Sequence, residues 1–301
     1  MILNLLERAL KGLHRARGGF SSRDLDIAFL AKALGGPKLL YALQKAFGLA
    51  SRTTLRQAKK IPVLVPSIGR PTPGKINANI SAFCDPEIKP VRQASAAGTL
   101  TGNTLMFDGV ALETRCSYCP KCDQVLGLCR EHSHQVDTHV TDISSIEKIR
   151  KAIFEPESDE DKVCFGCEAT VVAVAPYSSE HYQAVPLVAS PSCKTKKGTE
   201  IRSWIRDVVG CWKAHPSGEK VHGPIWASGS NGDAAYWYAK YLECLENGVE
   251  VDTTQGYGKV LKELDGINLF TSPDGILGTC DPKHVFKRTR SITSTFCPFN
   301  N

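Results

Sequence analysis

The sequence predicts an α/β fold, a mixed sheet with flanking helices preceded by an all-helical N-terminal region. Three observations carry that expectation. Short β-prone apolar runs recur between residues 103 and 190. A longer stretch, Thr199–His215, places Ile201, Trp204, Ile205, Val208, Val209 and Trp212 at helical spacing. The first sixty residues carry apolar stripes of helical period, punctuated by glycine and proline.

The N-terminal stretch MILNLLERALKGLHRARGG has an apolar start broken by Glu7, Arg8 and Lys11. It reads as an amphipathic helix, because a signal peptide carries its basic residues before the apolar ones. A mitochondrial presequence is the alternative, since Arg8, Lys11, Arg15 and Arg17 share the stretch with a single acid. Ser22–Leu34 reads as a helix with Leu25, Phe29 and Ala33 on one face, broken by Gly35-Gly36-Pro37. Leu39, Leu40, Leu43 and Phe47 form the next stripe, closed by Gly48. Ser51 or Thr53 can cap a further helix to Lys60 that carries Arg52, Arg56, Lys59 and Lys60. Helix, tight turn and basic helix is helix-turn-helix-like, so residues 1–61 are expected to contact DNA through those four cations. Three packed helices with a solvated basic face are the plainer alternative. Charge favours the former: residues 1–100 sum to +11, while the whole chain is +6.

Pro62, Pro66, Pro71 and Pro73 mark a connection, taken as residues 62–98, into a core at 99–301. There Leu105-Met106-Phe107 leads into Asp108 and Glu113, and Val125-Leu126-Gly127-Leu128 returns as the second arm of a hairpin. Ala169–Ala175 and Ala184–Ser190 follow as strands. Residues 104–112, 124–130, 169–176 and 183–190 are expected in one mixed sheet, with 199–214 packed across it. Pro224–Ala227 is a further strand ending in the turn Gly229-Ser230-Asn231-Gly232-Asp233. Asp233–Asn247 reads as a helix, Ile267–Phe270 as the fifth strand, and Asp281–Arg290 as a basic helix in which Asp281 and His284 serve as cap and surface residue.

That succession is the order of an RNase H-like core, in which the ends of the first and fourth strands lie side by side. Acids there can share metal ions about 3.5–4 Å apart. LMFDGVALE, VLGLCREH, the Ser-Asn-Gly-Asp turn and CDPKHVFKRTRS together resemble P-element/THAP-type DNA transposases, in the form of transposon-derived proteins abundant in mushroom-forming fungi. The resemblance runs from about Asp24 to Arg290. It implies Mg²⁺-dependent DNA strand cleavage and transfer, with Asp108 as the first acid. The second acid of the family falls at Asn231, and Asp233 is its neighbour. The family's inserted nucleotide-binding domain and final Glu have no counterpart before Asn301, so a truncated, degenerate relative is expected. Mg²⁺ prefers hard anionic oxygen, which an Asn carbonyl does not supply. Glu113, five residues from Asp108, points to the opposite face of a regular strand. Hydrolysis by this chain alone is therefore not expected. A non-enzymatic DNA- or protein-binding module and a zinc-stabilised structural protein are the alternatives.

With 42% hydrophobic and 23% charged residues the chain can bury one large core, and it has no apolar run of membrane-spanning length. A nuclear location is expected, with the cytoplasm as alternative; self-association is a further expectation. No G-x4-G-K-[ST] loop supports nucleotide binding. Twelve cysteines without a secretory signal point to free thiols or metal ligands. Cys116/Cys119 and Cys164/Cys167 form two C-x2-C pairs that can supply the four ligands of one Zn²⁺. Cys129 reads as a small buried hydrophobe.

Overall fold

The computed structural model describes residues 20–58, 62–86, 101–120, 122–159, 161–178, 183–195, 197–254, 256–265 and 268–280, with Glu7 and Leu10. The N-terminal amphipathic helix or presequence, Lys59, Lys60 and the Asp281–Arg290 helix lie outside the described residues. The chain divides into two units, Met1–Pro62 and Val63–Asn301.

In the first unit, α1 (Ser22–Phe47) starts with a capping box: the Ser21 hydroxyl accepts from the Asp24 N–H, and the Asp24 carboxylate accepts from the Ser21 N–H. Gly36 leaves helical geometry at φ +70° just before Pro37, so the two expected helices are arms of one kinked element. Gly48, left-handed, closes it. α2 (Arg52–Ala58) follows, and Ala28, Leu40, Leu49, Ala50 and Leu55 are buried together.

The second unit begins earlier than the sequence suggests. Residues 62–98 read as a connection, yet α3 (Pro73–Cys84) buries Ile76, Ile80 and Cys84 in the main core. Asn79 explains why the extended segment before it stays in place. Its side chain accepts from the Val65 N–H (2.8 Å) and donates to the Val65 (3.1 Å) and Leu187 (2.8 Å) carbonyls.

β1 (Asn103–Ala111), β2 (Ser117–Cys119), β3 (Gln124–Leu126), α4 (Ile143–Phe154), β4 (Glu168–Pro176) and β5 (Val185–Ser192) come next. They are followed by α5 (Gly198–Ala214), α6 (Glu219–His222), β6 (Ile225–Ser230) and α7 (Ala234–Tyr241). β7 (Val249–Glu250), α8 (Gly256–Lys262), β8 (Phe270–Thr271) and β9 (Leu277–Cys280) follow, with a 3-10 turn at Ser133–Gln135 and a π-helical turn at Leu242–Glu246 besides. One five-stranded mixed sheet has the order β5-β4-β1-β6-β9. β4 runs antiparallel to β5 and β1, whereas β6 is parallel to β1 and β9 to β6.

Two strand pairings differ from expectation. Residues 124–126 do not return along β1 but pair with β2, and β4 takes the place beside β1 in an unbroken register from Asn103↔Pro176 to Ala111↔Glu168. A nine-residue ladder outweighs one of three residues. Gly127, at φ +105°, turns the chain away where a Cβ would strike the Arg115 carbonyl. The fifth strand is β9 and not the run ending at Phe270, which pairs with β7. A turn through Gly275 (φ +76°), closed by the Ser272 N–H to the Ile276 carbonyl (2.9 Å), carries the chain on to β6.

The core lies on one face of this sheet. Leu105 and Phe107 of β1, Val172 and Val174 of β4 and Leu187 of β5 meet Ile201, Trp204, Val208 and Trp212 of α5. Phe107 sits 5.6 Å from Trp204 and 5.8 Å from Tyr236, ring centre to ring centre. The buried Asn103 amide donates to the carbonyls of His222 (3.0 Å) and Gly223 (2.9 Å), which ties the start of β6 to the start of β1. Among the described residues, no helix is long and apolar enough to cross a membrane.

Candidate functional site

Phe107 points into the core, so Asp108, next along β1, points to the opposite and exposed face. The β1–β6 register sets Phe107 opposite Ser230. Asp108 therefore comes beside Asn231, where β6 passes into its turn. Both line a cleft of about 340 Å³ with Thr104, Met106, Ser230 and Cys280. Cys280 reaches it because β9 adds beside β6, a contribution no local pattern signals.

One oxygen of each of the two side chains, Asp108 and Asn231, accepts a local hydrogen bond. Asp108 Oδ1 accepts from the Gly109 N–H at 2.8 Å, and Asn231 Oδ1 from the Asp233 N–H at 3.2 Å. Asp233 is the N-cap of α7, its Oδ1 accepting from the Ala235 N–H at 2.8 Å, and it does not line the cleft. Glu113 is exposed and paired with Arg115 at 3.2 Å. Among the described residues lining the cleft, Asp108 is the one carboxylate. Mg²⁺ demands near-octahedral anionic oxygen, and two ions would need at least two bridging or flanking acids. This donor set does not fit a two-metal centre.

A different cluster has the chemistry of a metal site. Cys129, His132 and Cys193 bring two thiols and one imidazole within 4.8 Å of one another. His132 Nδ1 lies 2.9 Å from Cys129 Sγ and 3.6 Å from Cys193 Sγ. This donor set is compatible with Zn²⁺. Burial, then the neighbouring Cys193 thiol, pushes the Cys129 thiol up to about 12. Cys164 lies across a backbone hydrogen bond from this group, its carbonyl accepting from the Cys129 N–H at 2.9 Å.

The expected zinc set of Cys116, Cys119, Cys164 and Cys167 is not assembled. Among the described residues, the ligand group that comes together is Cys129, His132 and Cys193, and none of these four cysteines is in it. Cys167 instead donates to the Ser192 carbonyl (3.6 Å). The missed signal was the spacing Cys129-x2-His132, since Cys129 was read as a small buried hydrophobe. Cys193 joins from a distant strand end.

In the N-terminal unit, Arg52 and Arg56 are exposed one turn apart on α2, while Leu55 is buried between them.

No family model matches the chain, and no curated protein does. Among solved structures, a similar one is titled Drosophila P element transposase strand transfer complex. It shares 13% identity at a TM-score of 0.45, over 95% of this chain and 46% of that one. The chain thus spans less than half the length of that protein.

Proposed function

We propose that this chain is a transposase-derived protein with an RNase H-like core that associates with DNA and lacks a complete catalytic site. One observation carries the reading: Asp108 and Asn231 stand side by side at the adjacent ends of β1 and β6 in a sheet ordered β5-β4-β1-β6-β9. That is where an RNase H-like enzyme holds its first two acids, and here the second position is an amide. Loss of that charge weakens cation binding and leaves attacking and leaving oxygens unstabilised. The family's Mg²⁺-dependent cleavage would therefore be absent from this set of residues.

DNA association is supported by the +11 balance of residues 1–100 and by the exposed pair Arg52 and Arg56. A nuclear location and self-association accompany this reading. The test is plasmid nicking with Mg²⁺ or Mn²⁺, set beside Asp108→Ala. Equal background in both is expected. Robust cleavage that disappears in Asp108→Ala would overturn the inactive reading.

A further inference from the structure

We infer that Cys129, His132, Cys164 and Cys193 together bind one structural Zn²⁺ ion that staples the segment between β1 and β4 to the edge of the main sheet.

The four residues come from three separate places. Cys129 and His132 lie just after β3, Cys164 precedes β4, and Cys193 directly follows β5. Backbone hydrogen bonds draw these segments together: the Cys129 N–H to the Cys164 carbonyl (2.9 Å), Arg130 N–H to Pro191 (2.9 Å) and Cys167 N–H to Ser192 (3.0 Å). A Leu128↔Phe165 bridge lies beside them. After Cys193 the chain turns at Lys194, which adopts φ +71°, a left-handed conformation uncommon for lysine.

The dimensions suit zinc. Zn–S bonds of about 2.3 Å and Zn–N bonds of about 2.0 Å make the edges of a tetrahedron roughly 3.4–3.8 Å long. The 3.6 Å from His132 Nδ1 to Cys193 Sγ matches that edge, and Cys129 Sγ at 2.9 Å needs a shift of well under 1 Å. A thiol–imidazole hydrogen bond accounts for one cysteine on the ring. It does not account for a second thiol on the same nitrogen, with the Cys164 backbone hydrogen-bonded to Cys129 alongside. Binding converts the three thiols to thiolates and releases their protons, leaving a closed four-ligand centre with no position for substrate.

The fold has a use for such a centre. Residues 112–167 carry β2, β3 and α4 away from the main sheet, over a core of four buried side chains, Val125, Leu128, Ile149 and Val163. A core that small needs a staple. This inference is independent of the proposed function, since it concerns neither Asp108 nor DNA.

The test begins with elemental analysis of the full chain, where about one zinc per chain is expected. Cys116→Ser/Cys119→Ser/Cys122→Ser should keep it, and Cys164→Ser/Cys193→Ser should lose it. Misfolding as the cause of loss is excluded on the unmutated protein. After metal stripping, Co²⁺ titration should give a thiolate charge-transfer band, and Zn²⁺ should displace it. Zinc removal should also speed proteolysis within residues 112–167 at least about tenfold, as expected when a local staple is released. Cys164→Ser alone should weaken the band and lower zinc affinity at least about 10-fold. Folded chain with less than about a tenth of a zinc and no cobalt band would overturn the inference. So would zinc retained in full by Cys164→Ser/Cys193→Ser.

Discussion

Asn231→Asp places a second carboxylate beside Asp108, and the consequence can be worked from the β1–β6 register. Neighbouring strands lie about 4.8 Å apart. Two charges about 5 Å apart repel by about 0.8 kcal/mol in bulk water and about 3 kcal/mol at an effective dielectric of 20. Asp108 is exposed and Asn231 half-exposed, which selects the lower end, about 1 kcal/mol. The new Asp keeps an oxygen for the Asp233 N–H, so the turn itself survives. The assay is a double-mutant cycle by urea unfolding at pH 7 and low salt, with Asp108→Asn, Asn231→Asp and the pair. Asn231→Asp should destabilise, the pair should recover that loss, and the coupling of about 1 kcal/mol should fade at high salt. Mn²⁺ should raise the Tm of Asn231→Asp more than that of the unmutated chain. A coupling below about 0.3 kcal/mol at low salt, within ordinary additivity error, would refute the side-by-side placement.

Further outcomes follow from other parts of the molecule. Trp204→Ala removes the buried ring that meets Phe107 and should cost about 3–5 kcal/mol in denaturant unfolding; a loss under about 1 kcal/mol would contradict its central position. Arg52→Ala/Arg56→Ala should weaken binding to duplex DNA and reduce the slope of log K against log salt by about 2, while unchanged affinity and slope would exclude α2 as the contact surface. His215 Nδ1 accepts from the Ser217 N–H (3.0 Å), and burial holds its pKa below the usual histidine value. The unfolded chain therefore takes up the proton first. Stability from this residue is present above about pH 6.5 and is lost as pH falls through its lower folded value. Unfolding midpoints from pH 8 to 5 should decline less in His215→Gln, and a steeper decline would reverse the assigned sign.

What was legible in the sequence was whatever a local period or a local cap encodes. The apolar spacing from Ile201 to Trp212 marks α5 within a residue at each end, and Gly36-Pro37 marks the kink of α1. Alternation at Leu105 and Phe107 fixes which way Asp108 faces. The mixed α/β character follows from these elements alone, since each must bury one face against another. Partner choice was not legible. Residues 124–126 and 168–176 are both β-prone, and ladder length together with the turn at Gly127 sends β4 to β1. The joining of Cys193 to Cys129 and His132 is invisible in the same way. A C-x2-C spacing advertises a knuckle, but Cys119 is taken up as the end of β2 and the cluster that forms lies elsewhere. This Cys/His cluster draws on chain segments about sixty residues apart, held together by hydrogen bonds between strand ends. Local pattern determines which face a side chain occupies, because backbone geometry repeats over a few residues. Which distant face it meets is decided by the sheet register, a property of the whole folded chain.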